Sequence, residues 1–167
     1  MSNLSRRDAL KLSLLTGAMP FVRHGDLPRL RTDRLRLGII GVGNRGAANL
    51  AAVGHEHVVA LCDVDDRYLK NAANQYQDAA TFQDYREMLD ADLDLDAVVV
   101  STPDHTHAPA SMAAMQRGLH CYCEKPLTHS VEEAKAMAKL GKGLVTQMGT
   151  QIHAGDNYRR VVELMRT

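Results

Sequence analysis

The sequence has no tryptophan, five tyrosines and two phenylalanines. So few rings argue against the aromatic platforms on which single-stranded nucleic acids stack. Neither sign of charge dominates: 20 Lys and Arg balance 20 Asp and Glu, so nothing in the overall charge calls for nucleic acid or an anionic membrane. Three cysteines, Cys62, Cys121 and Cys123, are too few and too odd in number for a disulfide framework. They are expected to be small buried hydrophobes, with Cys121 and Cys123 on one face of a strand. No metal site is expected either, because His105 and His107 lack a third ligand at suitable spacing. No apolar run is long enough to span a bilayer.

What is present is an ordinary globular composition. At 167 residues and 45% hydrophobic, the chain supports one domain with a sizeable core and is short for two. Residues 1–34 differ from the rest. Ser5-Arg6-Arg7-Asp8-Ala9-Leu10-Lys11 precedes a modest apolar run from Leu12 to Val22, the layout of an export signal. The arginine pair resembles the twin-arginine kind, although Ala9 stands where a bulky residue is usual. The expected location is therefore periplasmic, with the cytoplasm as the alternative should residues 1–34 be only a basic arm.

From Leu35 onward, strand and helix patterns alternate. Strands are expected at Leu35–Ile40, His57–Cys62, Asp96–Ser101, Leu119–Cys123 and Leu144–Met148, with a weaker extended stretch at Ala80–Phe82. Helices are expected at Asn44–Val53, Asp65–Gln77 and Asp84–Leu89, from Pro109 to Gly118, from the Ser130 cap to Leu140, and near Asp156. Alternation of this kind implies a Rossmann-type doubly wound α/β fold, a parallel sheet with helices on both faces. The expected division is a signal or arm at 1–34, a nucleotide-binding domain at 35–150, and the start of a further domain at 151–167.

Chemistry enters at the first strand end. Gly41-Val42-Gly43-Asn44-Arg45-Gly46 reads G-x-G-x-x-G between an expected strand and an expected helix, and Asp63 closes the next strand. Gly41 permits the tight turn, Gly43 lets backbone approach a pyrophosphate, and Gly46 lets helix and strand pack closely. The helix start offers N–H groups and a positive dipole end to phosphate. Asp63 can accept hydrogen bonds from ribose hydroxyls and would repel a 2′-phosphate, and Val64 supplies no compensating arginine. The expected cofactor is therefore NAD rather than NADP. Three other strand ends carry polar groups: Ser101-Thr102-Pro103 with His105 and His107, then Glu124-Lys125-Pro126, then Gly149-Thr150-Gln151-Ile152-His153. In open α/β sheets such ends border the ligand crevice.

These pieces in this order resemble the Gfo/Idh/MocA oxidoreductases, over Leu35 to the end of the chain. Glu124-Lys125-Pro126 is the most specific element, supported by the glycine fingerprint, Asp63, and Thr102-Pro103 with His107 four residues on. The resemblance implies a dehydrogenase that moves hydride between a nicotinamide cofactor and a sugar or polyol hydroxyl. It makes Lys125 the catalytic lysine beside nicotinamide and substrate, activated by burial near another cation. It also makes Lys125 and Glu124 cofactor contacts, with Pro126 fixing the turn through a peptide bond that is often cis in the family. Ser101, Thr102 and Pro103 are expected under the nicotinamide half, and His107 is expected to cap the next helix or to contact cofactor. Gln151 and His153 are expected on the substrate side. The family's C-terminal α/β substrate domain is expected to be absent from a chain this short, leaving it inactive alone; homo-oligomers are compatible with a full-length form. Two further readings compete: an NAD-using glycoside hydrolase of the same fold, which the intact Glu124-Lys125-Pro126 turn disfavours, and a non-catalytic NAD-binding fragment.

Overall fold

A computed structural model describes residues 34–150 and 156–166. The export-signal reading, Gln151 and His153 lie outside the described residues. Six strands, β1 (Arg36–Ile40), β2 (His57–Cys62), β3 (Ala80–Phe82), β4 (Ala97–Val100), β5 (His120–Glu124) and β6 (Thr146–Gly149), form one sheet. Their order is β3-β2-β1-β4-β5-β6 and every pairing is parallel. This is the doubly wound order of dinucleotide-binding folds, and the chain reverses direction across the sheet between β1 and β4. Helices α1 (Arg45–Val53), α2 (Asp66–Gln75), α3 (Tyr85–Asp90), α4 (Asp104–Gln116) and α5 (Val131–Leu140) connect the strands, and α6 (Asp156–Arg166) follows. Among the described residues no helix is long and apolar enough to cross a membrane.

Strand periodicity divides the core into two layers. Leu37 and Ile39 of β1, Leu61 of β2 and Val99 of β4 pack with Leu50 of α1 and Leu69 of α2. Ile40, Ala60, Cys62, Val98 and Val100 point the other way, onto Met88, Ala110, Ala114 and Met137 of α3, α4 and α5. Both faces of the central strands are covered, which is why their sequences run apolar without alternation. Cys121 and Cys123 share the second layer, as expected from their spacing. Burial pushes the Cys62 and Cys123 thiols up to about 12 and also raises Cys121, so all three are inert thiols.

Caps fix the helix starts. Asp65, Asp84 and Ser130 accept from Arg67, Arg86 and Glu133 backbone N–H groups respectively. In the Ser130 box, Glu133 reaches back to the N–H of His129 rather than to that of Ser130. One helix departs from expectation. Pro109 does not begin α4, which starts a turn and a half earlier at Asp104. Pro103 (φ −59°, ψ 149°) ends the preceding turn, and its carbonyl accepts from both the N–H and the hydroxyl of Thr106. That arrangement starts the helix before Pro109 is reached. Pro109 then sits on the exposed face, where losing one ladder bond costs less than it would in the core. Gly118 closes the helix at φ +79°, the left-handed conformation a glycine adopts freely.

Candidate cofactor and active site

The switch between β1 and β4 opens a crevice. Ser101 N–H donates to the Ile40 carbonyl at 2.8 Å, and Gly41 N–H donates to Cys62 at 2.8 Å. The glycine turn is thereby tied to the ends of both neighbouring strands. Gly41 has φ +86°, and a Cβ there would lie 2.7 Å from the Ser101 carbonyl oxygen. A Cβ at Gly46 would collide with the Gly41 carbonyl, so this glycine is what lets α1 start against β1. Gly43 answers to a different neighbour. Its missing Cβ would fall 2.6 Å from the Tyr68 ring, which leans across from α2.

Asp63 is fixed at the end of β2. One carboxylate oxygen accepts from Val42 N–H at 2.9 Å and Gly43 N–H at 3.2 Å, and the other accepts from Asp65 N–H at 2.9 Å. Three amides thus hold the carboxylate on the pocket wall, and a carboxylate has about four lone-pair sites in all. Beside it, Asp65 is paired in two bonds with the Arg67 guanidinium, at 3.1 and 2.6 Å. Hydrogen bonding to Arg67 lowers the Asp65 carboxyl to about 2. At α1, unlike α2, α3 and α5, the cap residue Asn44 makes no side-chain cap bond, so the helix start faces the crevice without an internal anion.

These groups surround one cavity of about 610 Å³, lined by Gly41, Gly43, Asn44, Arg45, Asp63 and Tyr68 on one side and by Ser101, Thr102, Pro103 and His105 on the other. That size suits a small-molecule cofactor. The buried hydroxyl of Thr102 has no partner among the described residues. A cradle too tight for side chains at Gly41, an open helix start and an orphaned hydroxyl together fit a dinucleotide. A second cavity of about 430 Å³, against α5 and the β5–β6 edge, is lined mainly by Met, Cys, Leu and Ala side chains and lacks these features.

Glu124 and His107 are placed differently from expectation. Glu124 is 4% exposed and is absent from the cavity wall. Its Oε1 accepts from Arg45 Nε at 3.1 Å, Asn49 Nδ2 at 3.0 Å and Tyr122 OH at 3.2 Å. Asn49 also donates to the Ser101 hydroxyl at 2.8 Å. Burial drives the Glu124 carboxyl upward, but the hydrogen bonds from Asn49 and Arg45 and the guanidinium charge outweigh it and leave it below the ordinary value. Burial and the nearby Glu124 raise the Tyr122 phenol. Glu124 therefore orients Arg45, a cavity-lining residue, from behind. Gly149 of β6 makes room: a Cβ there would clash with the Tyr122 hydroxyl and lie 2.9 Å from the Glu124 carboxyl carbon.

His107 is 1% exposed and neither caps α4 nor lines the cavity. It lies inside the helix, with its ring nitrogens against two backbone carbonyls. Lys125 is exposed at the start of the turn after β5, not buried as expected, and the Lys125–Pro126 peptide is cis. Asn49, Tyr68 and Tyr122 escaped sequence reasoning. The one available signal was Asn49, a lone polar side chain on the buried face of an alanine-rich helix.

Sheet order, glycine turn and crevice define a dinucleotide-binding Rossmann domain. More particularly, the chain belongs to the GFO/IDH/MocA oxidoreductase family, whose NAD-binding Rossmann fold matches residues 35–149. It is 29% identical over 135 residues to the uncharacterized oxidoreductase YrbE of Bacillus subtilis, covering 78% of this chain and 39% of that protein. It is 36% identical over 115 residues to a glycosyl hydrolase family 109 protein of Shewanella sp. strain W3-18-1, covering 62% and 25%. Among solved structures, myo-inositol 2-dehydrogenase from Lactobacillus plantarum matches with TM-score 0.74 and 29% identity, over 80% of this chain and 41% of that one. Scyllo-inositol dehydrogenase from Lactobacillus casei, solved with NAD(H) and scyllo-inositol, matches with TM-score 0.71 and 26% identity over the same shares. The chain thus spans about two fifths or less of the length of these relatives.

Proposed function

We propose that this chain is the cofactor-binding part of an NAD-dependent oxidoreductase acting on a sugar or polyol hydroxyl. The observation that carries the reading is the single crevice shared by the glycine turn, Asp63 and the Ser101–Pro103 turn, in a chain of this family. Gly41, Gly43 and the start of α1 at Asn44 and Arg45 hold the pyrophosphate, and Asp63 accepts from the ribose hydroxyls. Its charge, with Asp65 occupying Arg67, opposes a 2′-phosphate and favours NAD over NADP. Ser101, Thr102 and Pro103 support the nicotinamide half. NAD, when bound, would supply the hydride acceptor; the Lys125 ammonium, exposed at the crevice end of β5, would donate a hydrogen bond to the substrate oxygen and stabilise the developing alkoxide as its proton passes to solvent. Substrate-side roles are proposed for Gln151 and His153 from their place after β6 in the sequence. Ser5-Arg6-Arg7 supports export, which fractionation of a tagged chain would test.

Calorimetric titration with NAD, followed by NADH formation from a polyol panel in a form extended to family length, tests this reading. An absence of NAD binding would overturn it. The likeness to glycosyl hydrolase family 109 favours a second reading, an NAD-using glycosidase. Release of a glycoside leaving group without net NADH would select that one.

A further inference from the structure

We propose that His107 is a positioning residue that clamps the Ser101–Pro103 turn to the Lys125–Pro126 turn and so shapes the nicotinamide half of the crevice without touching cofactor. The proposal rests on the cofactor site proposed above. β4 and β5 are paired up to Val100 and Cys123, and beyond that ladder each chain turns into a loop that carries site residues. The His107 ring spans the two loops. Its Nε2 lies 2.7 Å from the Thr102 carbonyl oxygen and its Nδ1 2.6 Å from that of Pro126. Both partners are carbonyl oxygens, which only accept, so in either contact it is the ring that donates.

Its surroundings make the contact costly to lose. His107 is 1% exposed, so the ring itself has no water to bond in place of these carbonyls. Thr102 is held on one side only: its carbonyl meets His107, while its hydroxyl, turned into the buried wall of the site, has no partner among the described residues. The position of the Thr102–Pro103 peptide relative to Lys125 therefore depends on this ring. The glycine turn and Asp63 do not; they are tied to Cys62, Asp65 and each other. The crevice then has one half whose shape depends on His107 and one whose shape does not.

That division is measurable with two ligands, NAD and ADP-ribose, which lacks the nicotinamide ring. The 167-residue chain should bind NAD more tightly than ADP-ribose. His107→Leu, which removes the ring nitrogens at similar volume, should weaken NAD about tenfold and leave ADP-ribose within about twofold, as expected for one or two lost hydrogen bonds felt at only one half of the ligand. His107→Gln, which keeps donor hydrogens, should recover part of the loss. Should His107→Leu fail to fold, the His107→Gln chain carries the same comparison. Equal losses for both ligands would show a merely structural histidine and overturn the proposal, as would unchanged binding of both. A wild-type chain that binds neither ligand would overturn the cofactor site along with it.

Discussion

The crevice has two halves built in different ways. The half at the ends of β1 and β2 is local: Gly41, Val42, Gly43, Asp63, Asp65 and Tyr68 fall within 28 positions of one another in sequence and are joined chiefly through backbone amides. The half at the ends of β4 and β5 is assembled at long range by side chains. Arg45 meets Glu124 across 79 positions, Asn49 meets Glu124 across 75, and Asn49 meets Ser101 across 52. Backbone-bonded turns are specified by glycine and a single carboxylate. A side-chain network requires every member to be present and satisfied, since a buried polar group left unpaired costs more than a formed bond gains.

The largest effect expected from this difference is in the local half. Gly46→Ala would drive a Cβ into the Gly41 carbonyl, and backbone on both sides leaves little room to yield. It should cost about 3 kcal/mol or more. Thermal melting would show a fall of many degrees with loss of all nucleotide binding. An alanine variant with a near-native melting temperature would mean that α1 does not start against β1 as described.

A smaller and more selective effect is expected at Glu124. Glu124→Ala leaves the buried Asn49 amide and the Tyr122 hydroxyl without their shared acceptor. Arg45 is about half exposed and finds water, so the cost should be about 2–3 kcal/mol, below that of breaking a fully buried ion pair. Both ligands should weaken through Arg45, and NAD more than ADP-ribose, because Asn49 is then no longer held against Ser101. Denaturant unfolding and paired titrations would measure both quantities. Equal losses for the two ligands would remove the distinction between the halves.

Asp63→Asn should alter binding more than stability, the fold losing only its acceptor for the Asp65 N–H. The amide keeps one acceptor for the glycine-turn N–H groups but presents a donor at its other end and carries no charge. NAD should weaken about tenfold while NADP gains relative to it, the scale of one charge-assisted hydrogen bond. Unchanged affinity for both would displace Asp63 from the ribose.

The contrast also explains which parts were legible in sequence. The parallel sheet with helices on both faces and the glycine turn follow from period, β-branched runs and a short motif, all of which act over neighbouring residues. Roles for Glu124 and His107 were not legible. The family resemblance suggests cofactor contacts, yet their partners are Asn49, Arg45 and Tyr122 for one and two backbone carbonyls for the other. Such partners appear only once the sheet brings β5 against β4 and α1. Pro109 misled for a related reason: a proline suited to a helix start stands inside α4 because Pro103, six residues earlier, had already begun it. Gly149 carried a hidden signal, a glycine in a strand where a side chain would strike the Glu124 network.

The smallest expected effect concerns acid. The Glu124 carboxyl sits below its ordinary value in the fold, because bonds from Asn49 and Arg45 favour the ionised form more strongly than burial opposes it. A depressed carboxyl contributes stability above its unfolded value, about 4.3, and that contribution is lost as pH falls through the lower folded value. At pH 7 it is fully present, and raising the pH further changes nothing. Glu124→Gln keeps an acceptor for Asn49 but cannot titrate, so the variant should be slightly less stable than wild type at pH 7 and should converge with it once pH has fallen through the lowered Glu124 value. The acid side of the stability profile should be shallower in the variant, with the alkaline side unchanged. Parallel profiles from pH 3 to 7 would mean that the Glu124 carboxylate gains nothing from Arg45 and Asn49. The long-range half of the crevice would then be held by packing rather than by its charge.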